Sequence, residues 1–368
     1  MKVIQFLPAL ESGGVEQGVI EIAKALNEKG HESHVVSSGG RLVDSLITSG
    51  SHHHTWNLGK KSLLNYRLIK PLSAWIISMN PDIIHVRSRM PAWIVWKALN
   101  RIPIHKRPHL ISTVHGLHSV NFYSRVMTKP RNIIAVSKSS KSYIVDNYTK
   151  HEKKNIKIIY RGIDESLYYK DYKPPKDWLS DWYRQYPETK YAKLLTISGR
   201  ISPLKGIENI IYLAKSIKEN STHNVKILIA GEAHNKHLKY LNTLKNTVRE
   251  LGLINDVYFL NYRKDIKEIY AISSIAYNTS NKPESFGRSV LESLSLGIPT
   301  IGFNRGGVKE ILDELYPFGA ISPNDDKEIL EKSLIILDGA HTNIKINTKF
   351  LTSKMCDETI GFYEDVLS

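Results

Sequence analysis

The chain has 368 residues, 41% of them hydrophobic and 24% charged, enough for two cores of ordinary domain size. Its single cysteine, Cys356, excludes an internal disulfide or a cysteine-based metal cluster and suits a reducing cytoplasm. The net charge of +15 is uneven, since residues 1–165 carry 24 Lys+Arg against 11 Asp+Glu and residues 166–368 carry 27 against 25; a basic first half attracts an anionic partner, such as nucleic acid, an anionic lipid surface or a phosphorylated substrate.

"VIQFL" at the start reads as a strand. "GGVEQGVIEIAKALNEKG" follows as a helix, with Val15, Val19, Ile22, Ala23 and Leu26 on one stripe and Gly30 as its stop. The opening segment is interrupted too soon for a signal peptide, and no apolar run reaches membrane-spanning length, so the reading is a soluble or peripheral protein. "SHVVSS", "DIIHVRS", "HLISTVHG", "NIIAVSK" and "IKIIYRGID" are further β-rich runs, separated in part by the helical stretches "LLNYRLIKPLSAWIISM" and "PAWIVWKALNR". "HHH" at His52–His54 has no Cys, Asp or Glu close by and reads as a loop or strand-edge cluster, not a metal site.

A second series begins at Lys193 with "KLLTISGR" and runs through "GIENIIYLAKSIKE", "VKILIAGE", "NTLKNTVRELG", "VYFLNY", "DIKEIYAIS", "SSIAYNTS" and "PTIGFN". Between the two series, "YYKDYKPPKDWLSDWYRQYPETKYA" breaks the alternation and reads as a linker partly packed on the surface. The chain ends in the helical "KMCDETIGFYEDVLS". Strands alternating with helices mean parallel sheets covered on both faces. The expected fold is α/β, with two facing Rossmann-like, doubly wound domains at 1–170 and 190–350. A cleft is expected at the carboxyl ends of their strands, and the C-terminal helix (about 354–368) is expected to pack back on the first domain.

Three loops after strands carry chemistry. In "ALESGGVEQG", Gly13 and Gly14 open a helix, and their amides can approach a phosphate. The stretch is neither G-x-G-x-x-G nor a P-loop, and by itself it reads equally as a turn. In "SGRISPLKGIENI", Arg200 and Lys205 lead into a helix and form a candidate diphosphate clamp that requires no metal. In "SNKPESFGRSVLESLSLG", Glu284 stands in a loop before a helix closed by Gly297, and Glu292 stands on that helix. A carboxylate accepts from paired hydroxyls, so Glu292 is a candidate for the ribose of a nucleotide and Glu284 for a sugar. The amides at Phe286, Gly287 and Arg288 complete the grip. The plainer alternative makes Glu284 a first-turn acid and Glu292 a solvated one.

These motifs together resemble the retaining GT-B glycosyltransferases of family 4, in particular the branch that builds bacterial lipopolysaccharide or lipooligosaccharide core. "ESFGRSVLE" is similar to that family's E-x7-E signature and "SGRISPLKG" to its basic diphosphate loop. "SGGVEQ", "TVHG", "AVSKSSKSYI", "IYRGID" and "RGGVKEIL" match in order, over roughly residues 1–312. The departure is Arg161, where many members have asparagine. The resemblance implies that Arg200 and Lys205 hold the diphosphate, Glu292 the ribose and Glu284 the donor sugar, beside Phe286, Gly287 and Arg288. Gly13 and Gly14 lend amides, and His115 lies near the anomeric centre.

The implied reaction moves a hexose from a nucleoside-diphosphate sugar (UDP-glucose, UDP-GlcNAc or GDP-mannose type) to a Kdo–lipid A type inner-core acceptor. It proceeds with retention, without a cofactor or metal, at the inner face of the cytoplasmic membrane. His115, Glu284, Arg200 and Lys205 form the catalytic set. Arg87, Arg89, Lys138, Arg161, Lys60, Lys61, Lys106 and Arg107 are the candidate acceptor and membrane contacts. Arg67, Lys129 and Arg131 add to that charge. Two other readings stay open: a same-fold epimerase or phosphorylase, and a basic nucleic-acid-binding protein, for which no zinc finger or RNA-binding sheet motif is present.

Overall fold

The computed structural model describes residues 1–11, 13–59, 63–149 and 152–368. The chain divides into two compact units, Met1–Gly162 with Phe350–Ser368, and Ile163–Lys349.

Unit 1 is a seven-stranded sheet of β1 (Lys2–Phe6), β2 (Glu32–Ser37), β3 (His52–Thr55), β4 (Ile83–Val86), β5 (His109–Val114), β6 (Asn132–Ala135) and β7 (Asn155–Ile158). The order is β3-β2-β1-β4-β5-β6-β7, and every pairing is parallel. The strand order reverses between β1 and β4, the switch point at which such sheets bind ligands beyond their carboxyl ends. The His52–His54 run is the edge strand β3.

Two apolar layers cover this sheet. The helix Gly14–Glu28 buries Val19, Ile22, Ala23 and Leu26 of its predicted stripe, while Val15 in its first turn is only half-buried, and the chain turns out of it at Gly30 with φ 74°. The helix Thr352–Leu367 lies on the same face, where Met355, Ile360, Phe362 and Tyr363 pack with Val3, Ile83, Ile111 and Ile134. Each large side chain buried this way contributes about 1.5–3 kcal/mol. The opposite face carries the helices Ile69–Met79 and Arg89–Leu99, packed on Ile4, Phe6, Ile84 and Val86.

Unit 2 has six parallel strands, β8 (Lys193–Ser198), β9 (Val225–Ala230), β10 (Val257–Asn261), β11 (Ile275–Asn278), β12 (Thr300–Phe303) and β13 (Ala320–Ile321). Their order is β10-β9-β8-β11-β12-β13, with its own reversal between β8 and β11. The Trp-rich stretch expected to be a linker is part of this unit's core. The helix Lys176–Gln185 turns Trp182, 2% exposed, onto Leu194, Leu228 and Leu260, and the indole N–H donates to Thr189 Oγ1 at 2.9 Å. An amphipathic helix rich in indole rings gains more from covering an exposed sheet face than from solvation as a connector.

Candidate active site

In unit 2 the two loops at the switch point are the two that carry the predicted donor residues. Beyond β8 the chain runs from Gly199 through a short 3-10 turn, Pro203–Lys205, into the helix Ile207–Asn220. Arg200 is exposed. Lys205 folds back across Gly199; a Cβ there would stand 2.9 Å from Lys205 Cε. Its ammonium reaches the other loop and donates to Glu284 Oε1 at 2.7 Å.

Glu284 also accepts from Asn278 Nδ2 at 3.2 Å and from the Ser280 hydroxyl. Burial pushes its carboxyl upward, but Lys205, Ser280 and Asn278 together outweigh that, and Glu284 lies below the ordinary glutamate value. It is therefore ionised and already oriented. Its backbone carbonyl accepts from Gly307 N at 2.8 Å, which ties the loop to the start of the helix Gly306–Leu315.

The helix Arg288–Ser295 follows, with Gly287 (φ 109°) at its N-cap and Phe286 5% exposed beneath it. One turn in, Glu292 Oε1 accepts from Arg288 Nε at 2.9 Å, an i,i+4 pair with Glu292 13% exposed. Burial, and then the charge of Glu292, push the Tyr270 phenol upward; its hydroxyl bonds Ser198 at the end of β8. Glu292 is thus a half-buried carboxylate beside the switch point and not a solvated helix acid. The sequence reading missed three supports: Asn278 and Ser280, which hold Glu284, and Arg305. Arg305 caps the next helix and donates from Nη2 to Ser280 O at 2.6 Å. The motif "RGGVKEIL" was the available signal for Arg305.

In unit 1, Gly13 is the N-cap of the helix Gly14–Glu28, with no side-chain cap bond. His115 follows β5. Arg161, after β7, is 8% exposed and joins the two. Its Nη2 donates to the carbonyl of Gly14, and its Nη1 lies 3.5 Å from His115 Nδ1. Burial, then Arg161 and Arg87, hold His115 well below the ordinary histidine value.

The predicted acceptor and membrane cations separate into groups. Arg87 is 4% exposed and bonds Gln5 Oε1 and Thr113 Oγ1, inside the unit. Arg87 and Arg161 are therefore interior cations and do not stand on an open surface. Arg89 is half-buried, donates to Ser124 Oγ at 3.1 Å and lies over the Tyr123 ring. Lys138, Lys106, Arg67, Lys129 and Arg131 are exposed. Arg107 is held by the carbonyls of Ile102 and Asn100. Lys60 and Lys61 lie outside the described residues. Among the described residues no helix is long and apolar enough to cross a membrane, and no group of three or more His, Cys, Asp or Glu is arranged to hold a metal ion.

Comparison with known proteins fits this geometry. Residues 12–167 match the family described as Glycosyltransferase Family 4, and residues 181–348 match Glycosyl transferases group 1. The Bacillus anthracis enzyme N-acetyl-alpha-D-glucosaminyl L-malate synthase is 24% identical over 373 residues, 94% of this chain and 92% of its own length. In fold, Anabaena HepE, crystallised with UDP and glucose, aligns with a TM-score of 0.81 at 21% identity, over 99% of this chain and 100% of that one. The lipopolysaccharide outer core galactosyltransferase WaaB, in its apo form, aligns at 0.69 and 15%, over 100% and 97%. With one glycosyltransferase family matched across each of two Rossmann-like units, the chain belongs to the GT-B glycosyltransferases, joining a family 4 unit to a group 1 unit.

Proposed function

We propose that this glycosyltransferase moves a hexose from a nucleoside-diphosphate sugar to an anionic, lipid-linked glycan of the lipopolysaccharide or lipooligosaccharide inner core. The anomeric configuration is retained, and the reaction takes place at the inner face of the cytoplasmic membrane. The observation that carries the reading is the switch-point cluster of unit 2, in which Lys205, Glu284, Arg288 and Glu292 stand paired and half-buried around one helix start. Two carboxylates suit a ligand with two sets of hydroxyls, and Lys205 with Arg200 suits the diphosphate between them.

In this reading Glu292 takes the ribose and Glu284 the sugar. Arg200 and Lys205 meet the charge that develops on the departing diphosphate, so the scheme calls for no metal. Gly14 and its helix start lend amides to the phosphates, and His115 serves the reacting carbon. No carboxylate is assigned as a nucleophile. The leaving phosphate takes the acceptor proton in a front-face attack that rests on positioning. The UDP in the HepE structure supports a nucleotide-sugar donor. The basic N-terminal half and the likeness to WaaB support an anionic core acceptor. A small dicarboxylate is the second acceptor class, supported by the L-malate in the name of the Bacillus anthracis enzyme.

The test supplies UDP-glucose, UDP-GlcNAc or GDP-mannose labelled in the sugar, together with Kdo–lipid A, L-malate or neither, with and without EDTA. The expected result is label in the lipid fraction with one donor, undiminished by EDTA and alpha-linked. Label in malate moves the acceptor to the second class. An epimerised donor or a sugar phosphate removes the transferase assignment of the site.

A further inference from the structure

We propose that Arg161 is a positioning residue that fixes His115 as the neutral tautomer with its proton on Nε2. The ring then offers the donor sugar a hydrogen-bond donor and never a base. The inference rests on the reading above only in giving His115 a place at the sugar; the tautomer follows from the surroundings of the ring.

A guanidinium donates and cannot accept. With Arg161 Nη1 3.5 Å from His115 Nδ1, that nitrogen holds its lone pair toward the cation, and the ring proton sits on Nε2. The cation is held in place from a second side. Its Nη2 donates to the carbonyl of Gly14, in the first turn of the helix Gly14–Glu28. It lies so close to that helix that a Cβ at Gly18 would stand 2.4 Å from Nη2. Gly18 is a buried position inside the helix, where alanine would serve the helix better, so the missing methyl makes room for the guanidinium. A cation beside a helix N-terminus also opposes the helix dipole. The fold keeps it there, against local preference on both counts, in contact with His115.

The titratable groups that bear on the imidazole are Arg161 from beyond β7, Arg87 from the end of β4 and His118 from its own loop. Burial first, and then these groups, favour the uncharged ring. An uncharged ring suits a centre that becomes positive as the glycosidic bond breaks, because an imidazolium there would repel it, and the Nε2–H is left to donate to a sugar oxygen.

The test is histidine side-chain 15N NMR on the full chain, with the His115 signals identified by their loss in His115→Asn. The expected wild-type spectrum shows one neutral ring, protonated at Nε2, unchanged between about pH 5 and 8 while an ordinary histidine titrates near 6.5. In Arg161→Met the ring stays uncharged through burial but should populate the tautomer protonated on Nδ1. Transfer from UDP-glucose should then fall with the fraction of rings that keep the proton on Nε2. Arg161→Lys should restore the Nε2–H tautomer, and Gly18→Ala, which crowds the guanidinium out, should reproduce the tautomer mixture of Arg161→Met. A wild-type ring protonated on Nδ1 or charged at pH 6 would overturn the proposal, and so would an Arg161→Met ring that stays an Nε2–H tautomer. Undiminished transfer in His115→Asn would instead remove His115 from the donor site and leave the tautomer result standing.

Discussion

Lys205 Nζ lies 2.7 Å from Glu284 Oε1, so the cation expected at the diphosphate and the carboxylate expected at the sugar hold one another. Each side chain keeps about a quarter of its surface in solvent, 25% and 23%. Neither residue can then be removed without changing the other. In a double-mutant cycle with Lys205→Met and Glu284→Gln, stability losses should fall short of additivity by about 0.5–3 kcal/mol. Chemical denaturation of the four proteins measures this, and strictly additive losses would mean that the pair is not formed in solution.

Activity should follow the charges in the β8 loop. Lys205→Ala and Arg200→Ala should each lower turnover by about a hundredfold or more, the cost of one preorganised donor to a developing anion. Arg200→Ala should leave the melting temperature unchanged, because its side chain is exposed. Near-normal turnover in both variants would remove the clamp.

The two acids should separate in calorimetry. Glu292→Ala should weaken binding of UDP alone by about 1.5–3 kcal/mol, the worth of hydrogen bonds to a charged group. Glu284→Ala should spare UDP and weaken UDP-glucose. Equal losses toward UDP would end the division between ribose and sugar.

Acid stability depends on two buried rings. His85 bonds Tyr363 at 2.6 Å and Thr113 at 2.7 Å, and burial, with Arg87 behind it, holds it well below the ordinary value; His115 is depressed likewise. Below the unfolded pKa of about 6.5 the unfolded chain binds protons that the native rings refuse, so stability falls as the pH falls. Each ring contributes a slope of about 1.4 kcal/mol per pH unit. Urea midpoints between pH 7 and 5 should therefore drop, and His85→Gln should flatten part of the drop. A flat profile would place those protons elsewhere.

Membrane attraction should be electrostatic. Arg67, Lys106 and Lys129 are exposed on unit 1, and Ile104, two residues before Lys106, is 81% exposed. Each cation near an anionic bilayer adds about 1 kcal/mol and is screened by salt. Cosedimentation is expected with vesicles containing phosphatidylglycerol and not with phosphatidylcholine alone. It should be lost at high salt and weakened by Arg67→Glu with Lys106→Glu. Equal binding to both vesicle types would remove the membrane contact.

Periodicity made most of the architecture legible. Most of the stripe from Val15 to Leu26 is buried as expected, the runs "DIIHVRS", "HLISTVHG" and "SSIAYNTS" contain the strands β4, β5 and β11, and the loops after β8 and β11 fall at a reversal of strand order. Partnership was not legible. Arg87 reads as a cation at a strand end, yet its acceptors, Gln5 and Thr113, come from two other strands. Arg161 needs a glycine at position 18, and no local pattern links residues so far apart in sequence. The Trp178–Trp182 helix has the spacing of an amphipathic helix, but the prolines and tyrosines that flank it conceal that it completes a core.

The helix Thr352–Leu367 has a consequence for how the protein is made. The chain leaves unit 1 at Gly162 and returns to it at Phe350. On the ribosome, unit 2 emerges whole and can close its core while translation is still under way. Unit 1 must wait with Val3, Ile83 and Ile111 uncovered until Phe362 and Tyr363 arrive, after the whole of unit 2 has been synthesised. A stop codon that removes Phe362 and Tyr363, or an insertion that keeps this helix off the sheet, would then harm unit 1 and spare unit 2.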